Sequence, residues 1–147
     1  VTPKLTFVEL VQADDLGKAA RRRYLGYLHE RDPHCCYCRV LTVRRNGSGL
    51  GGDTATLDHL LPESRGGRHV SSNLDLACED CNVTKGDMTP IEFRHYRMLM
   101  ARGAKSRYRA ILIAKAACAR LTLTKGENNG EEAHRRGQRP QLLQRAD

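Results

Sequence analysis

The sequence predicts a small α+β domain held on a metal-bound scaffold, and three observations carry that prediction. Two short β-forming runs, Thr54 to Leu60 and Leu74 to Ala77, are followed at once by a short helix from Cys78 to about Lys85. Cys35 and Cys38 form one Cys-x-x-Cys pair and Cys78 and Cys81 another, a spacing that suits one tetrahedral zinc thiolate site better than disulfides. Aromatic residues make up only 5% of the 147 residues and Trp is absent, so the apolar core is thin and something besides burial must help hold it.

In chain order, Val1 to Ala13 is apolar enough for a strand or a packed arm. A helix follows to about Glu30, with Asp14 or Asp15 as N-cap and Leu16, Ala19, Ala20, Tyr24, Tyr27 and Leu28 at helical spacing. Arg21, Arg22 and Arg23 on this helix are either a solvated face or phosphate contacts. Pro33 ends it. Val40 to Val43 reads as a strand, and Asn46 to Gly52 as a Gly-rich hairpin or loop with no Walker-type Lys behind it. Arg65-Gly66-Gly67 is a turn between the two strands, and Gly86 ends the short helix. Thr89-Pro90-Ile91-Glu92 is a strong helix start with a capping box, for a helix to about Met100. Gly103 marks a break before a second helix from about Ser106 to Leu121. Residues 125–147 are rich in Gly, Gln, Glu and Arg and read as a disordered tail.

Lys and Arg outnumber Asp and Glu by 25 to 17, for a formal charge of +8 and a pI near 9.5, which favours a polyanionic partner, nucleic acid before a membrane surface. No apolar run approaches the roughly 18 residues of a spanning helix, and no signal-peptide pattern opens the chain, so a reducing, cytoplasmic setting is expected. No acidic residue occurs between Glu92 and Glu127. Arg94, Arg97, Arg107 and Arg109 in that interval are the expected nucleic-acid-binding surface, against the plainer reading of a basic amphipathic helix pair.

The stretch from Leu57 to Lys85 concentrates the chemistry. Its order is Asp58-His59-x-x-Pro62, then Gly66-Gly67, then Asn73-Leu74, then Cys78-x-x-Cys81-Asn82-x-x-Lys85-Gly86-Asp87, with the first Cys pair upstream. Hydrolysing a phosphodiester needs a base to deprotonate water and a cation at the scissile phosphate. His59, ordinarily titrating near pH 6.5, can be that base. Asp58 precedes it in a strand, where neighbouring side chains point to opposite faces, so the two share a site only if the strand end is distorted. Singly these residues are ordinary: Asn73 suits a turn and Asn82 a helix start.

In this order they resemble the HNH endonuclease family, in an H-N-N variant with Asn82 where many members carry the last His. The resemblance covers about Arg31 to Arg97. It implies a ββα-metal core on a structural zinc site with flanking helices, acting as a divalent-metal-dependent DNA endonuclease that leaves a 5′-phosphate and a 3′-hydroxyl. The strand end is then bent so that Asp58 and Asn82 hold a catalytic Mg²⁺ or Mn²⁺ beside His59, while Asn73 holds the loop and orients His59 without binding metal. Cys35, Cys38, Cys78 and Cys81 hold structural Zn²⁺. Arg65 and Lys85 flank the site, as phosphate contacts or as solvated charge; His69 is read as exposed, and His34 as a neighbour of the zinc site. The domains expected are an N-terminal arm and basic helix over 1–30, the nuclease core over 31–97, a basic C-terminal helix over 98–124 and the tail over 125–147. DNA, double-stranded by this reading, is the partner; a zinc-bound DNA-binding module without catalysis and an RNA-cleaving nuclease on the same scaffold are the alternatives.

Overall fold

Leu57 and Asp58 are sequence neighbours that face opposite ways, and this alternation organises the molecule. They lie in β1 (Ala55–His59), which pairs antiparallel with β2 (Leu74–Cys78) in an unbroken register from Ala55 opposite Cys78 to His59 opposite Leu74. On one face Leu57 joins a core of Leu10, Leu16, Tyr24 and Leu74, contributed by α1 (Phe7–Gln12), α2 (Lys18–Arg31), the segment between them and β2. Side chains one position along a strand turn to the other face. There Thr56 and Asp58 meet α3 (Glu79–Lys85), which follows β2 directly. The computed structural model describes residues 7–45 and 51–120. The glycine-rich loop at 46–50 and the tail beyond residue 120 lie outside the described residues, and so do the expectations made for them.

Contacts divide the chain into two compact units, residues 1–94 and 95–147, where the sequence suggested boundaries after 30, 97 and 124. The first unit holds the sheet, α1 to α3 and the start of α4 (Pro90–Ala101). Thr89 and Glu92 form the expected capping box: the Thr89 amide donates to Glu92 Oε2 at 2.7 Å and the Glu92 amide to Thr89 Oγ1 at 3.4 Å. In the second unit α4 ends in a Schellman closure. Ala104 N donates to Leu99 O and Gly103 N to Met100 O, with Gly103 at φ 89°. Residues 107–120 are helical, matching the expected second helix over the described part.

Three expectations fail locally. Residues 7–12 are helical and not a strand, although Leu10 packs into the core as a packed arm would. Helix α2 starts at Lys18 with Gly17 at its N-cap and not at Asp14 or Asp15, because Leu16 is buried and its amide is drawn to His69 O at 2.6 Å. Val40 to Val43 forms only isolated bridges, His34 to Leu41 and Val43 to Thr54. The turn after Cys38 diverts this segment, with Arg39 in the left-handed region at φ 62°.

Candidate active site and metal centre

The two Cys pairs converge. Cys35 and Cys38 sit on a tight turn in which Arg39 N donates to Cys35 O; Cys36 N donates to Leu76 O and so ties that turn to β2. Cys78 closes β2 and Cys81 lies in the first turn of α3. The four sulfurs all lie within 4.8 Å of one another, and Cys38 Sγ is 3.7 Å from Cys78 Sγ. A tetrahedral zinc with bonds of about 2.3 Å separates its sulfurs by about 3.8 Å, so the donor set fits zinc. The Cys36 thiol, donating to Cys35, holds the Cys35 thiol far below its ordinary pKa, while burial pushes Cys78 and Cys81 up. His34 does not join this cluster and pairs with Asp32 at 2.7 Å.

The same turn delivers Tyr37 to β1. Its hydroxyl donates to Asp58 Oδ2 at 2.5 Å, and its ring meets Phe93 of α4 edge-on at 5.1 Å. Burial, then the bond to Asp58, raises the Tyr37 pKa well above the ordinary tyrosine range. Asp58 Oδ1 accepts from Lys85 Nζ at 3.0 Å, and Lys85 also donates to His59 O at 2.8 Å. Both side chains of this ion pair are sealed, Asp58 at 3% exposed and Lys85 at 0%. Asp58 is therefore a structural anion between the Tyr37 turn and α3. Each of its oxygens accepts one hydrogen bond in this structure, Oδ2 from the Tyr37 hydroxyl and Oδ1 from the Lys85 ammonium. Asn82 turns its amide onto β1, donating to Thr56 Oγ1 at 3.0 Å and Leu57 O at 3.2 Å. Strand alternation therefore sets Asp58 and Asn82 together on the α3 side of β1, while the His59 side chain lies in the loop, so the bend expected to bring all three together is not seen here. Lys85 is likewise no phosphate contact here, being buried.

His59 faces the other way. Its Nε2 lies 2.7 Å from His69 Nδ1 and 3.3 Å from Glu63 Oε1. Burial is the largest influence on its pKa, which is lowered from 6.5; Glu63 works against that shift and His69 with it. The imidazole is thus neutral at physiological pH and able to accept a proton. The loop from Leu60 to Asn73 that surrounds it is fixed from within: Asn73 Oδ1 accepts from Leu61 N at 2.8 Å, and Asn73 Nδ2 donates to Leu61 O and Arg68 O, each at 3.0 Å. Its amide is spent on backbone, which leaves it a loop-holding residue. Gly67 packs so closely on Leu61 O that any Cβ would collide with that carbonyl. The loop is also pinned from outside, by Tyr24 Oη on Ser71 O, Ser71 Oγ on Val11 O and Arg68 Nη2 on Asp14 O.

Residues 47–97 match the HNH endonuclease family. The HNH match takes in the sheet, the His59 loop, α3 and the start of α4, and supports a nuclease-type function acting on nucleic acid with a divalent metal. No curated protein and no solved structure matches the chain. Within the HNH segment Arg65 braces the turn against α4, its Nη1 lying 2.6 Å from Glu92 Oε2, and does not project freely. Burial alone would raise the Glu92 pKa, but hydrogen bonds from Thr89 and Arg65 outweigh it and hold the carboxyl below its ordinary range. Arg94 and Arg97 near its end, and Arg107 and Arg109 beyond it, are all exposed, and Arg107 Nε donates to Tyr96 Oη at 3.2 Å. Sequence reasoning missed Glu63 and His69 as neighbours of His59. Glu63 lies four residues on, a spacing that could have flagged it; no short-range pattern places His69 there.

Proposed function

We propose that this chain is a divalent-metal-dependent nuclease that hydrolyses phosphodiester bonds of DNA, with His59 as general base. The observation that carries the reading is the state of His59: a neutral, partly open imidazole at the end of β1, on a loop braced by Asn73, inside the stretch that matches the HNH family. A divalent cation, when bound, supplies the charge that steadies a phosphate under attack. The chain's own part is to present the His59 imidazole to water and to draw the backbone in through basic side chains, Arg94, Arg97, Arg107 and Arg109 among them. Zn²⁺ on Cys35, Cys38, Cys78 and Cys81 holds the Tyr37 turn, β2 and α3 together beneath that loop.

One observation favours a second reading, a zinc-bound DNA-binding module without catalysis: Asp58, the carboxylate next to His59, is locked by Lys85 and Tyr37. Cleavage assays on plasmid, single strands and RNA, with and without Mg²⁺ or Mn²⁺, separate the two. His59→Ala is expected to lose about 10²- to 10⁴-fold in cleavage rate while keeping the zinc of the four-cysteine site and DNA affinity, since a general base acts as the barrier is crossed. Wild-type rates in that variant, or no metal-dependent cleavage of any nucleic acid, would leave the binding module as the better account.

A further inference from the structure

The donor atoms around His59 make a set that neither the base role nor the loop's fold requires. His59 Nε2, His69 Nδ1 and Glu63 Oε1 form a triangle with sides of 2.7, 3.3 and 3.4 Å. Ligands at about 2.1 Å from one ion, in tetrahedral or facial octahedral arrangement, stand about 3.0 to 3.4 Å apart; the two Glu63 sides already match, and the His59–His69 side, now at hydrogen-bond distance, needs to open by only about 0.3 Å for one cation to cap all three. The chemistry is selective: two imidazoles and one carboxylate suit Zn²⁺, Co²⁺ or Ni²⁺, whereas Mg²⁺ prefers an all-oxygen shell. Among the described residues this is one of two groups with metal-ligand spacing, and the other is the four-cysteine cluster.

The positions are also prepared in advance. His59 is fixed by β1 and His69 by the Leu16 amide on its own carbonyl, so two of the three ligands lose little freedom on binding. Glu63 is 58% exposed and gives an ion a way in. The cation now facing the cluster is Arg21, whose Nη1 lies 3.0 Å from His69 Nδ1 and 3.9 Å from Glu63 Oε1. Its side chain is 30% exposed and can swing toward solvent.

We propose that His59, Glu63 and His69 form a second metal site, selective for Zn²⁺ and similar transition ions, whose occupation withdraws His59 from base catalysis. The site stands on the donor geometry alone; the withdrawal rests on the nuclease reading. Because a neutral imidazole has one basic lone pair and ligation uses it, an ion on His59 and a proton taken from water exclude each other. Zn²⁺ would then inhibit cleavage that Mg²⁺ supports.

Equilibrium dialysis of the full chain against Zn²⁺ tests the site. Two ions per chain are expected for wild type and one for His69→Ala and for Glu63→Gln, the retained ion showing that each variant is folded. Co²⁺ added to protein already carrying one zinc is expected to give visible d–d absorption without a sulfur-to-cobalt charge-transfer band, and both variants should lose it. One ion in wild type, or a second ion that both variants keep, overturns the site. Cleavage in excess Mg²⁺ is expected to fall at least about 10²-fold as Zn²⁺ fills the second site. Each variant, measured against its own zinc-free rate, should need at least tenfold more Zn²⁺. Full-rate cleavage with the second site filled overturns the withdrawal. A chain that cleaves nothing overturns the nuclease reading and the withdrawal together, while the ion counts still decide the site.

Discussion

Lys85→Met isolates the buried charge on which α3 and β1 are joined. The pair is sealed from solvent, Lys85 Nζ is 3.0 Å from Asp58 Oδ1, and the same ammonium holds His59 O at 2.8 Å. Removing it leaves the Asp58 carboxylate buried with one neutral donor, Tyr37. Breaking a buried pair from one side costs about 3–5 kcal/mol, because the remaining charge is uncompensated. Against a total of about 5–15 kcal/mol for a domain, that is a large share. The double variant Lys85→Met/Asp58→Asn removes both charges and lets the amide oxygen accept from Tyr37, so most of the loss should return. Urea unfolding at fixed zinc, read as midpoint and slope, measures both variants. A single-variant cost under about 1 kcal/mol, the range of an exposed pair, would refute the buried-pair account. So would a double variant no more stable than the single. If Lys85 met phosphate instead, Lys85→Met would spare stability and lower the salt dependence of DNA binding.

Three further outcomes are expected. Cys78→Ser should unfold the first unit and not merely slow a reaction, since structural zinc contributes on the order of 10 kcal/mol to folding; metal analysis showing no zinc on the reduced wild type would refute the zinc site. The acid limb of kcat/KM should fall below pH 6.5, because burial lowers the His59 pKa and the base is lost only as pH drops through that lowered value. The same sign makes low pH destabilising, as a proton binds His59 more readily once the chain unfolds; a limb centred above 6.5 would remove His59 as the base. Replacing Arg94, Arg97, Arg107 and Arg109 by Gln should weaken DNA binding at every sequence and flatten the log–log salt slope by up to about 0.9 per lost contact, and an unchanged slope would move the binding surface elsewhere.

What could be read from the sequence here is what short-range chemistry decides. The capping box at Thr89 and Glu92, the glycine stops at 86 and 103, and the strand pair before α3 follow from residues within a few positions of one another, and all are present. The Cys spacing likewise foretold a cluster, since each pair needs only a tight turn. What escaped depends on partners far apart in the chain: Arg21 reaches His69 across 48 residues, and Tyr37 reaches Asp58 across 21. Leu57 and Leu16 bury into the core around Leu10 and Tyr24, and their burial sets where the His59 loop lies; no local pattern contains that information. The most instructive case is Asp58 beside His59. Strand alternation alone sends them to opposite faces, and the unbroken register of β1 against β2 keeps them there. One residue then goes to the fold, as the anion beneath Tyr37 and Lys85, and the next to the open loop, where an imidazole stays neutral enough to take a proton and close enough to Glu63 and His69 to take a metal.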